Sequence, residues 1–321
     1  MVERRKVFSD KPCEVTTFSR HYKILGYFFK KSCQLLAGEK YICDGNAFTM
    51  KKFLSFIIPV ILLASCNNNT STSPDNGTNE PAPPTLGYSV VNMYAHDTAF
   101  FTEGFEFHDG QLFESSGSGT DGDEKPAYPS AFGILNLQTG KVDKKVELNN
   151  TRYFGEGITF FNDKIFQLTW KNDTGFVYDA KTYKKLSEFY YTGEGWSFTH
   201  DSTRLIMSDG SSNIRFLDPA TLKVQGLIGI TDNNGPVSNI NELEWINGFL
   251  YANQWQTNYI LKIDLGSGKV VGKMDLEKLD AEAKKKFPGA RELNGIAYHA
   301  ATNSLYITGK CWPTVYEIKL N

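Results

Sequence analysis

From about residue 86 onward, short runs of alternating apolar and polar residues are separated by clusters of Gly, Asn, Asp and Ser, the pattern of half-buried β-strands rather than helices. Five segments superimpose without gaps: Glu103-Gly104-Phe105-Glu106-Phe107, Glu156-Gly157-Ile158-Thr159-Phe160, Glu194-Gly195-Trp196-Ser197-Phe198, Asn241-Glu242-Leu243-Glu244-Trp245 and Asn294-Gly295-Ile296-Ala297-Tyr298. Their leading polar residues lie 53, 38, 47 and 53 positions apart. A turn and a second strand follow each (Gln111 to Glu114, Lys164 to Thr169, Arg204 to Ser208, Phe249 to Asn253, Ser304 to Thr308). A third comes next (Gly133 to Leu137, Gly175 to Asp179, Ile214 to Asp218, Tyr259 to Asp264, Thr314 to Lys319). Units of three or four short strands repeating every 40 to 50 residues or so are propeller blades. The pattern therefore predicts an all-β, five-bladed β-propeller over residues 86–321. The fifth unit ends at Asn321 without a fourth strand, and Tyr88 to Met93 is expected to close the ring beside it. Glu277 to Lys286, with Pro288 just beyond, predicts a short surface helix between blades four and five.

In antiparallel strands the start of the first and the end of the second share one face of the disc. That rim is predicted to collect two columns: Glu103, Glu156, Glu194, Asn241 and Asn294, and then Trp170, Asp209, Trp255 and Lys310. His108, His200 and His299 fall in the turns at the opposite face, which argues against a Ser-His-Asp triad at the carboxylate rim. Carboxylates, amides, indoles and one Lys converging on a propeller mouth make a concave pocket with apolar walls. Three indoles, Trp170, Trp196 and Trp255, expose apolar surface that a ligand would cover.

Composition narrows the classes. A net charge of -2 gives no electrostatic footprint for nucleic acid, and an aromatic share of 14% beside 28 Gly suits strands and tight turns. The five cysteines match neither a zinc motif nor a disulfide framework, so no metal or cofactor is expected. Met50-Lys51-Lys52, the apolar run Phe53 to Leu63 and Leu63-Ala64-Ser65-Cys66 read as a secretion signal ending in a lipobox, residues 50–66, with Cys66 as the lipidated mature N-terminus. Residues 1–49 then read as an over-called start, and the Asn, Thr, Ser and Pro of 67–85 as a disordered tether. An exported lipoprotein is expected, a monomer on the periplasmic or cell-surface side of a bacterial membrane. Cys311 is expected to be a packed core thiol.

Phe101-Thr102-Glu103-Gly104, Tyr153-Phe154-Gly155-Glu156-Gly157, Leu168-Thr169-Trp170, Gly193-Glu194-Gly195-Trp196, Asn241-Glu242-Leu243-Glu244, Asn253-Gln254-Trp255-Gln256 and Thr308-Gly309-Lys310-Cys311-Trp312-Pro313 occur in order along the domain. In these motifs the chain resembles the glutaminyl-peptide cyclotransferases of the plant and bacterial type, five-bladed propellers unrelated in fold to the zinc-dependent animal enzymes. The resemblance implies conversion of N-terminal Gln of peptides or proteins to pyroglutamate with release of ammonia. It places the catalytic carboxylate on Glu156, the substrate cage on Phe101, Phe154, Trp170, Trp196 and Trp255, and polar partners on Asn241 and Lys310. Glu103 departs from the family, which usually has Gln there. Lys310, Asn241 or an indole N–H could hold the developing oxyanion. The residues also leave open a glycosidase using Glu103, Glu156 and Glu194, and a tethered lectin or peptide-binding propeller.

Overall fold

The computed structural model describes residues 80–118 and 127–321, with the backbone of three short strands nearer the N-terminus. Those strands, Gln34–Leu36, Lys40–Cys43 and Asn46–Thr49, form an antiparallel sheet in chain order within a separate unit, Met1–Pro74. Apart from that backbone, the extension over 1–49, the signal over 50–66, Cys66 and most of the tether lie outside the described residues.

In the second unit the first strands of five sheets, Thr102–His108, Gly155–Phe161, Ser197–His200, Ile240–Ile246 and Leu293–His299, touch in a closed cycle. The fold is a five-bladed propeller with those strands innermost. Blades one to three stack their second, third and fourth strands outward in chain order, and blade four adds the hairpin Thr231–Asp232 and Gly235–Pro236 at its outer edge. Tyr88–Ala95 supplies the outer strand of blade five, antiparallel to Thr314–Leu320, so the two ends of the domain close the ring together. Glu277–Lys286 is the one helix among the described residues; it buries Leu279 and Ala283, and its last turn carries Lys284, Lys285 and Lys286 as the helix dipole favours. Pro84 and Thr85, within the span read as tether, run along blade four: Leu86 N donates to Lys273 O, Lys273 N to Pro84 O, and Thr85 bridges Lys273.

Two-residue hairpins need left-handed backbone, and Asp109-Gly110 and Asn247-Gly248 provide it with φ of 48° and 74°, and 49° and 87°. Phe105, Ile158, Phe198, Leu243 and Ile296 hold equivalent positions, opposite Glu114, Gln167, Met207, Ala252 and Ile307, and each is at most 1% exposed. Blade three is therefore offset by two residues from the sequence superposition, and Trp196, not Glu194, stands level with Glu103 and Glu156. A shift of two keeps every side chain on its face, so alternation alone could not choose between Trp196 and Phe198 as the core residue.

An innermost strand has no neighbour on its axial edge, so its N–H groups need side-chain acceptors. Glu242 fills that need twice, Oε1 accepting from Phe105 N at 3.2 Å and Oε2 from Ile296 N at 2.9 Å. Glu106 accepts from Phe160 N, Glu244 from Tyr298 N and Ser197 Oγ from Leu243 N. Ring closure is tied by His96, just past Tyr88–Ala95. Its Nδ1 lies 2.7 Å from Trp312 O and its Nε2 3.0 Å from both oxygens of Glu114. Both nitrogens face acceptors, an arrangement that favours the doubly protonated ring. Burial alone would pull its pKa down, but Glu114 holds it above the ordinary histidine value.

Candidate active site

Two columns build the mouth. Glu103, Glu156, Trp196, Asn241 and Asn294 open the inner strands, and Gly117, Trp170, Gly210, Trp255 and Lys310 follow the ends of the second strands. Gly210 thus replaces the expected Asp209, whose carboxylate is held 2.6 Å from Arg215. The two glycines make room for aromatic rings. A Cβ on Gly117 would lie 2.0 Å from Phe154 Cε1, and one on Gly210 2.4 Å from Trp196 Cζ2. Phe101, Phe154 and Glu194 stand two residues before Glu103, Glu156 and Trp196, and Phe154 O accepts from Trp170 N.

Glu103, Glu156, Asn241, Lys310, Phe101, Phe154, Trp170, Trp196 and Trp255 line one cavity of about 400 Å³. Its wall is an aromatic arc: Phe101 meets Phe154 edge-on at 6.0 Å, Phe154 meets Trp170 at 5.5 Å, and Trp196 meets Trp255 edge-on at 5.5 Å. Trp170 Nε1 and Trp196 Nε1 each donate to Glu194 Oε2 at 2.8 Å, so neither indole N–H remains for a developing oxyanion. Glu194 belongs to the rim wall rather than to the carboxylate column.

The floor is charged and buried. Lys310 Nζ lies 2.7 Å from Glu103 Oε1, and Asn294 Nδ2 donates to Glu103 Oε2 at 3.1 Å. Burial pushes the Glu103 carboxyl up to about 7 against the pull of Lys310. Glu156 is 4% exposed, and among the described residues no side chain hydrogen-bonds its carboxyl. Burial raises its pKa well above the ordinary glutamate value, the charges of Glu103 and Glu194 add to the rise, and Lys310 opposes it. Asn241 Oδ1 is buried beside them without a hydrogen-bond partner. A buried carboxyl of raised pKa, a cation and an amide whose oxygen lacks a partner thus line one cavity with the aromatic arc.

A family model for glutamine cyclotransferase matches residues 60–320. The chain belongs to the glutamine cyclotransferase family. It is 37% identical to a glutaminyl-peptide cyclotransferase of Arabidopsis thaliana over 235 residues, 72% of this chain and 70% of that one. It is also similar to the crystal structure of Myxococcus xanthus glutaminyl cyclase, with a TM-score of 0.67, 30% identity, and coverage of 74% of this chain and 98% of that one. The cyclotransferase family is a family of enzymes, and this chain is one of them.

Three lining residues of this cyclotransferase went unread in the sequence: Lys171, Arg291 and Glu292. Lys171 Nζ sits 3.5 Å from the Trp170 ring centroid, and the Arg291 guanidinium 5.4 Å from that of Phe101. Glu292 had a usable signal, because it precedes Asn294 by two residues as Phe101 precedes Glu103. His108, His200 and His299 lie at the far ends of the inner strands against Phe160, Phe161 and Phe107.

Proposed function

We propose that the cavity cyclises N-terminal Gln of peptides or proteins, with Glu156 carrying the proton between the two nitrogens. The observation that carries this reading is the Glu156 carboxyl, buried and without a side-chain partner, facing the aromatic arc beside the Lys310–Glu103 pair. The neutral α-amine attacks its own side-chain amide carbon. Glu156 accepts the proton the amine loses and returns it to the amide nitrogen, so that ammonia leaves and a five-membered lactam remains. A carboxyl whose pKa burial raises well above the ordinary glutamate value serves both halves of that transfer. Negative charge developing on the amide oxygen is met by Lys310, the Asn241 side-chain N–H or the indole N–H of Trp255, since those of Trp170 and Trp196 are engaged. The arc folds the side chain over the amine and keeps out water that would hydrolyse the amide.

The glycosidase alternative needs a second free carboxylate opposite Glu156. Glu103 is bound by Lys310 and Asn294, and Glu194 by two indoles, which favours the cyclisation reading. Incubation of a Gln-initiated peptide, followed by mass spectrometry and an ammonia assay, tests it. Equal release of ammonia and lactam is expected; an unaltered peptide would overturn the reading.

A further inference from the structure

The aromatic wall runs through four blades, from Phe101 to Phe154 and Trp170, then to Trp196 and Trp255. Ring-to-ring contact joins each neighbouring pair except Trp170 and Trp196, where among the described residues no such contact occurs. At that gap stands Glu194, one oxygen of which accepts both indole N–H groups at 2.8 Å. An indole has a single polar atom, so a hydrogen bond to it fixes the rotation of the whole ring. Lys171 completes the device, with Nζ 3.5 Å from the centroid of Trp170 and 4.0 Å from Glu194 Oε1.

We propose that Glu194 is a positioning residue that joins Trp170 and Trp196 into one wall and so sets the orientation of the glutaminyl side chain. The inference rests on the cyclisation reading and deepens it. With both N–H edges turned to Glu194, this part of the wall offers the substrate apolar ring surface and no donor. The methylenes of the glutamine therefore lie against the indoles, and its amide oxygen is left to donors elsewhere in the cavity lining, the Lys310 ammonium and the Asn241 side-chain N–H. A Glu194 that merely lined a wet channel would leave the indoles free to turn, and their N–H groups would compete for the amide oxygen in unproductive poses.

The experiment compares Glu194→Ala, Glu194→Leu and Glu194→Gln with the wild type, using kcat and KM on a Gln-initiated peptide and the indole N–H resonances of the free enzyme. The Ala and Leu variants, which lack an acceptor, are expected to lose about 10- to 100-fold in kcat/KM, as misplacement of a bound group does. Two indole resonances should shift in both. The Gln variant keeps one acceptor oxygen and should recover most of the lost kcat/KM and return those resonances toward their wild-type positions. Two variants without an acceptor are included so that one serves if the other does not fold. Wild-type kcat/KM in Ala or Leu, unmoved indole resonances, or a Gln variant no better than Ala would overturn the proposal. If the wild type releases no ammonia, the cyclisation reading itself fails, and with it the orientation inferred for glutamine.

Discussion

Lys310 and Glu103 face each other across the floor of the cavity, Nζ 2.7 Å from Oε1, with side chains only 8% and 2% exposed. Burying two charges is costly unless each finds its partner, and Asn294 supplies Glu103 with a further donor. The consequence falls on Glu156. Burial raises the Glu156 carboxyl and the Glu103 charge adds to it, so Glu156 holds its proton more tightly than an exposed glutamate even though Lys310 pulls the other way.

If Glu156 moves the proton, Glu156→Gln should bind substrate with a KM close to wild type while kcat falls by about 10²- to 10⁴-fold. Steady-state kinetics together with thermal unfolding check this. An unchanged kcat would leave Glu156 as a channel-lining residue.

Glu103→Gln removes the charge that raises Glu156 and frees Lys310 to pull it down, and both effects lower the Glu156 pKa. The acidic limb of kcat/KM reports a group that must lose its proton before reaction, so that limb should move to lower pH. Gln is also what the family resemblance implies at this position, and activity should persist. A pH–rate profile decides the matter: an unmoved limb would show that the two carboxyls do not communicate, and loss of activity would make Glu103 itself catalytic.

Gly117→Ala places a methyl where Phe154 lies, 2.0 Å from its Cε1, without straining a left-handed backbone. The ring has to leave its place in the arc, and kcat/KM should fall by about tenfold or more. Kinetics beside an unfolding curve separate this from a general loss of stability. A wild-type kcat/KM would mean that Phe154 contributes nothing to the cage.

Glu242→Ala removes both acceptors that join the inner strands of blades one and five, leaving Phe105 N and Ile296 N buried and unpaired. Each orphaned donor costs about 1–3 kcal/mol, so denaturant titration should show a loss of several kcal/mol. Glu242→Gln keeps one acceptor and should fall between the two. Equal stability of the three proteins would show that these bonds contribute nothing.

Repetition made the architecture legible in the sequence. Each blade rebuilds the same apolar position, as at Phe105, Ile158, Leu243 and Ile296, and antiparallel geometry then forces strand starts and second-strand ends onto one rim. The closing strand at Tyr88 was legible too, because a fifth unit lacking its outer strand implies a donor elsewhere. What repetition could not settle was the register of blade three, since Trp196 and Phe198 sit two apart and alternate identically. Only the packed ring decided that, with Phe198 in the core, Trp196 level with Glu156 and Glu194 displaced to the rim wall. Charge partners were equally beyond sequence. Lys310 meets Glu103 across 207 positions and His96 meets Glu114 from the far side of the closure. Which carboxylate is paired and which is left without a side-chain partner depends on distances of a few ångströms, and those exist only once the five blades have closed.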